Sequence, residues 1–221
     1  MGSVHFGAPR KFVLWLRDQL NIHTFVETGT NRAETAVWAA SEFRTVITIE
    51  GYEPLYKRAV DSFSRIQNIE FRLGDSREHL GQILNTLDEP AIFWLDAHWC
   101  GVETFGKDHE CPLLGELESL KSSTVPHVIL IDDARLFLAP PPLPHAAAHW
   151  PDIATICHQL TNLSLPRYVV VYEDVIAGVP SNAKEGLIQF LQQNVLQQNA
   201  QAPAPPSRLR ERLNRIRQAL M

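Results

Sequence analysis

The sequence predicts an α/β domain in which a doubly wound, mostly parallel, seven-stranded sheet carries helices on both faces. Three observations lead there. Short apolar runs recur along the chain, bounded by Gly, Pro or acidic residues, as in strands buried on both faces. Segments with helical spacing separate these runs, and that alternation implies right-handed crossovers and a parallel sheet. Carboxylates and glycines stand just past the ends of the runs, where open α/β sheets bind ligands. The stretch 91–101, AIFWLDAHWCG, is the clearest case. Its run 91–95 follows Pro90 and stops at Asp96, Ala97 and His98, which places a carboxylate and an imidazole beyond a strand end.

In chain order, Phe12, Trp15, Leu16 and Leu20 give helical spacing over 11–20. Residues 24–26 form the first strand and lead into Glu27, Thr28, Gly29 and Thr30. A helix over 32–41 precedes the second strand, TVITI at 45–49, which ends in Glu50 and Gly51. A helix over 54–66 precedes the third strand, 69–73, which ends in Gly74, Asp75 and Ser76. Helix 77–87, the fourth strand 91–95 and helix 113–122 follow. The fifth strand, HVILI at 127–131, ends in Asp132 and Asp133. Helix 150–163 leads to strands at 167–172 and 175–179. Residues 138–145, LAPPPLPH, are too rich in proline for a helix. They suit either a substrate rim over the sheet edge or a stiff surface connection. Residues 101–112 read as a polar loop whose Gly101 and Gly106 permit closure over a substrate.

The chain has 221 residues, 45% of them hydrophobic, enough for one core of this kind and a tail. The domain is read as 1–196, followed by a Gln-, Ala- and Pro-rich linker at 197–206. Residues 207–221 read as a basic amphipathic helix, with Leu209, Leu213, Ile216 and Leu220 on one face among Arg208, Arg210, Arg212, Arg215 and Arg217. Such a helix suits a partner, a second copy of the chain, an anionic surface, or a tail packed on its own domain. The formal charge of -5 gives no case for nucleic acid. There is no run long enough to span a bilayer and no signal-peptide core. Cys100, Cys111 and Cys157 are too few for a disulfide framework, so reduced thiols and a cytoplasmic location are expected.

The strand ends carry the chemistry. The turn 27–30 has one glycine, not the three spaced glycines that cradle a pyrophosphate. Glu50 is placed to hydrogen-bond two ribose hydroxyls, although it also suits the start of the next helix. Asp75 and Ser76 can read an adenine edge, and Asp75 equally suits a helix N-cap. Taken in this order, the three ends describe a nucleoside cofactor without a pyrophosphate.

On FVETGT at 25–30, Glu50 after TVITI, GDS at 74–76 and the acidic ends of the fourth and fifth strands, residues 25–179 resemble the class I S-adenosylmethionine-dependent methyltransferases. Within that group the chain is most similar to the metal-dependent O-methyltransferases, of the catechol and the macrocin and novobiocin sugar types. The resemblance implies S-adenosylmethionine as cofactor, held by Glu27, Thr28, Gly29, Thr30, Glu50, Asp75, Ser76 and Asp96. It implies a divalent cation, expected to be magnesium, on Asp96, Asp132 and Asp133, and a general base at His98. The chain departs from the group's glycine-rich motif, with Asn31, Arg32 and Ala33 following Gly29.

These residue types suit methyl transfer to a hydroxyl. In-line displacement needs a positioned oxygen, a hard cation can acidify it, and an imidazole can take its proton near neutral pH. The expected acceptor is a small hydroxylated molecule, a sugar or another natural product. Two alternatives are a metal-independent methyltransferase acting on another atom and an inactive scaffold of the same fold, since fold alone does not choose. His98, Cys100, His109 and Cys111 form a rival zinc constellation, but in no familiar zinc spacing.

Overall fold

The structure is a computed structural model and describes residues 7–101, 106–201 and Gln218. Along the chain it places α1 (Arg10–Leu20), β1 (Thr24–Thr28), α2 (Glu34–Glu42), β2 (Thr45–Glu50), α3 (Glu53–Phe63) and β3 (Ile69–Leu73). There follow α4 (Ser76–Leu84), β4 (Ala91–Leu95), α5 (Leu113–Leu120), β5 (Val128–Ile131), α6 (Arg135–Leu138) and α7 (Ile153–Thr161). The last elements are β6 (Arg167–Tyr172), β7 (Val175–Pro180) and α8 (Lys184–Gln201). The strands form one seven-stranded sheet in the order β3-β2-β1-β4-β5-β7-β6. Pairs from β3 through β5 are parallel, and β7 runs antiparallel to β5 and β6. This is the expected doubly wound, mostly parallel sheet.

The apolar runs become the central strands because both of their faces need cover. Every residue of β4 is buried, and so is every residue of β5. Val26, Ile47, Phe93 and Ile129 from the sheet pack with Leu80 and Ile83 of α4, Leu117 of α5 and Leu160 of α7. Burying each such side chain is worth ~1.5–3 kcal/mol. On α1, Phe12, Val13 and Leu16 form a buried stripe, and the helix stops at Asn21 in the left-handed conformation.

Two elements depart from the sequence reading. The short helix α6 follows β5 at once, so Leu138 is helical although the proline-rich stretch was read as wholly non-helical. It ends where Ala139, preceding Pro140, becomes extended. Helix α8 also had no counterpart, although Leu187, Phe190, Leu191 and Val195 share a helical spacing that could have found it. The sheet and α1–α7 belong to one compact unit, and α8 lies in a second. The remainder of the expected linker and the basic helix at 207–221 lie outside the described residues, Gln218 excepted. No helix among the described residues is long and apolar enough to cross a membrane.

The carboxyl edge of the sheet is drawn together by short-range constraints. Gly29 has φ +86°, and a Cβ there would lie 2.3 Å from the Asp96 carbonyl oxygen. Only glycine accepts both the conformation and the close approach. The Gly29 amide donates to Ile49 O at 2.9 Å, and the Asp96 amide donates to Thr28 O at 3.1 Å. Beneath this edge Glu27 is buried. Thr48 Oγ1 donates to its Oε2 at 2.7 Å and pairs with Thr30 Oγ1 at 2.6 Å. Burial pushes the Glu27 carboxyl up to about 8, with the Glu50 charge adding to it and the Thr48 bond opposing it.

That shift predicts a pH-dependent stability. Folded Glu27 stays neutral to about 8, whereas in the unfolded chain it ionises above its ordinary 4.5. The folded state therefore holds the extra proton between those values, and stability falls as pH rises through that window. Glu27→Gln, which keeps an acceptor for Thr48, removes the penalty. Urea unfolding of the ligand-free protein should find the variant more stable than wild type at high pH, by roughly 3–5 kcal/mol. The gap should nearly close at the acid end of the window, and a gap of the same size throughout would refute the assignment.

Candidate active site

Two cavities open at the carboxyl edge of the sheet. The first, of about 320 Å³, is lined by Gly29, Asn31, Glu50, Asp75, Ser76, Asp96 and His98, among others. The second, of about 710 Å³, is lined by Glu27, Thr30, Asp96, His98, Asp132, Asp133 and Arg135, among others. Gly29, Asn31, Asp96, His98 and Cys100 line both, so two ligands seated side by side would meet over Asp96 and His98. Of the residues expected to hold a cofactor, Gly29, Glu50, Asp75, Ser76 and Asp96 face the first cavity. Glu27 and Thr30 face the second, and Thr28 lines neither. The Thr28 hydroxyl instead accepts from the Asp96 amide at 3.2 Å, beneath the floor.

Glu50 closes β2 and is almost fully buried. Its Oε2 accepts from Asn31 N at 2.8 Å and its Oε1 from Tyr52 N at 2.9 Å. Burial raises its carboxyl above the usual range, and these amide bonds oppose the rise. Asn31 reaches Glu50 because the backbone from Gly29 to Ala33 is left-handed at alternate residues, with φ +46° at Asn31 and +60° at Ala33. The turn thus reaches by strained non-glycine residues what a glycine-rich motif supplies without strain. Asp75 is the N-cap of α4, accepting from Arg77 N at 2.9 Å, so the capping alternative is realised in a residue that also faces the first cavity. The Arg77 bond holds the Asp75 carboxyl below its usual range against a smaller effect of burial.

Past β4 and β5 the acidic residues do not share one arrangement. His98 Nε2 lies 3.0 Å from Asp133 Oδ2, and its Nδ1 lies 3.4 Å from Asp96 Oδ1. Asp133 adopts φ +56°, which turns its other oxygen to Arg135 Nη1 at 2.6 Å. Arg135 is anchored in turn: its backbone amide donates to Asp174 Oδ1 at 2.8 Å, and its guanidinium pairs with the same carboxylate. Asp132 Oδ1 accepts from the Asp133 amide at 2.7 Å. Burial and then the neighbouring Asp132, Asp133 and Glu27 charges raise Asp96 well above its usual range. Burial and the Asp133 charge push Asp132 up to about 7. Burial also pushes Asp133 up, but the His98 bond and charge and the Arg135 charge outweigh it, and its carboxyl stays low.

These contacts bear on a metal. The Asp132 charge and a hydrogen bond between the two carboxyls raise Asp96 further, an effect that a hard cation would relieve. Both Asp133 oxygens, however, are engaged by His98 and Arg135. Among the described residues no three His, Cys, Asp or Glu side chains converge as a ligand set, and this covers His98, Cys100, His109 and Cys111 as well. Residues 138–145 line neither cavity, whereas Gly106, Lys107, Asp108 and His109 wall the first. Sequence reasoning missed Arg135, Asn31 and Lys107. Arg135 stands beside the Asp132–Asp133 pair, but nothing local marks its tie to Asp174.

No family model matches the sequence, and no curated protein matches it. Solved structures do resemble the fold. An O-methyltransferase from Bacillus cereus in complex with SAH superposes with a TM-score of 0.52 at 17% identity, over 79% of this chain and 83% of that one. The O-methyltransferase TomG from Streptomyces achromogenes, involved in tomaymycin synthesis and solved with SAM, gives 0.50 at 17% identity, over 80% and 82%. The SAH-bound methyltransferase PaMTH1 from Podospora anserina gives 0.51 at 14%, over 80% of both chains. At these identities the likeness is one of architecture, and the chain has the class I methyltransferase fold that these enzymes share.

Proposed function

We propose that the protein transfers a methyl group from S-adenosylmethionine to a hydroxyl of a small polar acceptor, with His98 as general base. One observation carries the reading: two cavities meet over Asp96 and His98 at the carboxyl edge of a methyltransferase-type sheet. The cofactor occupies the first cavity, its ribose hydroxyls on Glu50 and its adenine beside Asp75 and Ser76. The acceptor occupies the second. Asp133, the nearer carboxylate, accepts a hydrogen bond from the Nε2–H of His98, which leaves the Nδ1 lone pair for the acceptor's proton. The acceptor oxygen attacks the methyl carbon, the carbon–sulfur bond breaks, the sulfonium becomes a neutral sulfide, and the hydroxyl proton passes to Nδ1. His98 first and Arg135 after it keep Asp133 ionised, so the imidazolium that forms keeps its partner.

A metal-assisted form of the same reaction is the second reading, favoured by the Asp132 charge beside Asp96. A divalent cation would be held by these two carboxylates, with Asp133 as the further ligand that the resemblance implies, and would lower the pKa of the acceptor hydroxyl. Turnover abolished by a chelator and restored by magnesium or manganese is the result this reading expects. Full turnover in excess chelator would leave His98 as the sole means of activating the hydroxyl.

Two substitutions test the assignments. Glu50→Ala, shown folded by circular dichroism, should weaken S-adenosylmethionine roughly 10- to 100-fold in calorimetric titration, the loss of a charge-assisted hydrogen bond. Unchanged affinity would remove the ribose role. His98→Ala should slow methyl transfer ~10²–10⁴-fold across a panel of phenols and sugars, followed as S-adenosylhomocysteine formed. Its cofactor affinity should stay near wild type. A variant as fast as wild type on every acceptor would return His98 to the role of a loop residue.

A further inference from the structure

A buried carboxylate outside both cavities connects the two loops that flank His98. Glu110 is 4% exposed, although it sits in the polar stretch between β4 and α5. Its Oε2 accepts from Trp150 Nε1 at 2.8 Å and faces His145 Nδ1 at 3.1 Å, while its Oε1 accepts from Ala146 N at 2.9 Å. Its own carbonyl accepts from Trp99 N at 2.7 Å. One residue thus fastens the segment that leaves β4 to the segment that precedes α7. Burial would raise this carboxyl, but its hydrogen bonds, that of Trp150 foremost, hold it below the usual range. A carboxylate with this many donors is a fixed anion, and such bonds are about twice as strong as neutral ones.

The object that Glu110 fixes is the Trp150 ring. That ring lies 5.4 Å from the His98 ring, 5.6 Å from Phe137 and 5.2 Å from His145. Asp133 holds Nε2 of His98 at 3.0 Å, and Asp96 lies 3.4 Å from Nδ1, but neither constrains the faces of the ring. Trp150 supplies the missing contact, and Phe137 and His145 leave the indole little room to turn.

We propose that Glu110 is a positioning residue: through the indole N–H of Trp150 it sets the orientation of His98 at the junction of the two cavities. This rests on the reading of His98 as the base, but the coupling itself can be observed without turnover. The test uses the full chain with ¹⁵N/¹³C-labelled histidine, the His98 ring signal being identified by its loss in His98→Ala. In Glu110→Ala the His98 ring signal should shift or broaden, while S-adenosylmethionine affinity stays within about threefold of wild type. In Trp150→Phe, which keeps a ring and loses the N–H, the same signal should move in the same direction. If Glu110→Ala does not fold, Glu110→Leu, which fills the space and offers the indole no acceptor, is compared in the same way. A His98 signal unmoved in a folded Glu110 variant overturns the proposal. Where an acceptor is turned over, Glu110→Ala should lower kcat on the order of 10- to 100-fold, the penalty for a misplaced catalytic group. Wild-type turnover in His98→Ala would sink the base reading, and a His98 signal that moves with Glu110 would still establish the coupling.

Discussion

The site depends on how closely the ends of β1 and β4 approach one another. The space above Gly29 is filled by the Asp96 carbonyl, leaving no room for a Cβ. Gly29 also has a backbone conformation that side-chain-bearing residues resist. From that one contact the rest is placed. The backbone departs from β1 through left-handed residues and offers the Asn31 amide to Glu50. The chain leaving β4 is pinned by the Thr28 carbonyl, and Asp96 and His98 project from it over both cavities. A wider gap would separate the two cavities that this edge brings together.

Around this contact the electrostatics are unequal by design of position. Asp96, Asp132, Asp133 and Glu27 crowd a small volume, and like charges so close cannot all ionise at neutral pH. Among the described residues, Asp133 is the one of the four with a basic partner on each oxygen. Asp133 has the imidazole on one oxygen and the guanidinium on the other, so it carries the charge while Asp96 and Asp132 resist it. Because Asp96 and Asp132 interact, their protons belong to the pair. The imidazole thus has a fixed anion at one ring nitrogen and a carboxyl that resists ionisation near the other.

Much of this was legible in the sequence, for a local reason. β4 could be recognised because its apolar run begins after Pro90 and stops at Asp96, and both boundaries are local chemistry. Glu50 and Asp75 could be singled out because strand ends in a parallel sheet have a known relation to ligands. Arg135 and Glu110 could not. Their meaning lies in Asp174 and Trp150, each distant along the chain, and no periodicity records such a meeting. The direction of the Asp133 carboxylate was also illegible, since it follows from a left-handed backbone at a non-glycine residue. The three acidic residues of the expected cation site were legible by type, but the contacts of both Asp133 oxygens with His98 and Arg135 were not. Helix α8 is a different kind of miss, because its apolar spacing is in the sequence but is diluted by glutamines.

The strand order has a consequence for how the chain reaches this state. β1, β2 and β3 are neighbours in sequence and can pair as soon as they exist, but the other edge of β1 waits for β4, with Thr24 opposite Ala91. Until then Phe25 and Val26, fully buried in the finished sheet, lie along an unsatisfied strand edge. Closing so long a loop is the slow kind of step in parallel sheets, and an open apolar edge is the template on which chains stick to one another. A growing polypeptide halted between β3 and β4 would thus carry three strands with this border uncovered, and the arrival of β4 both completes the carboxyl edge above Gly29 and seals that border.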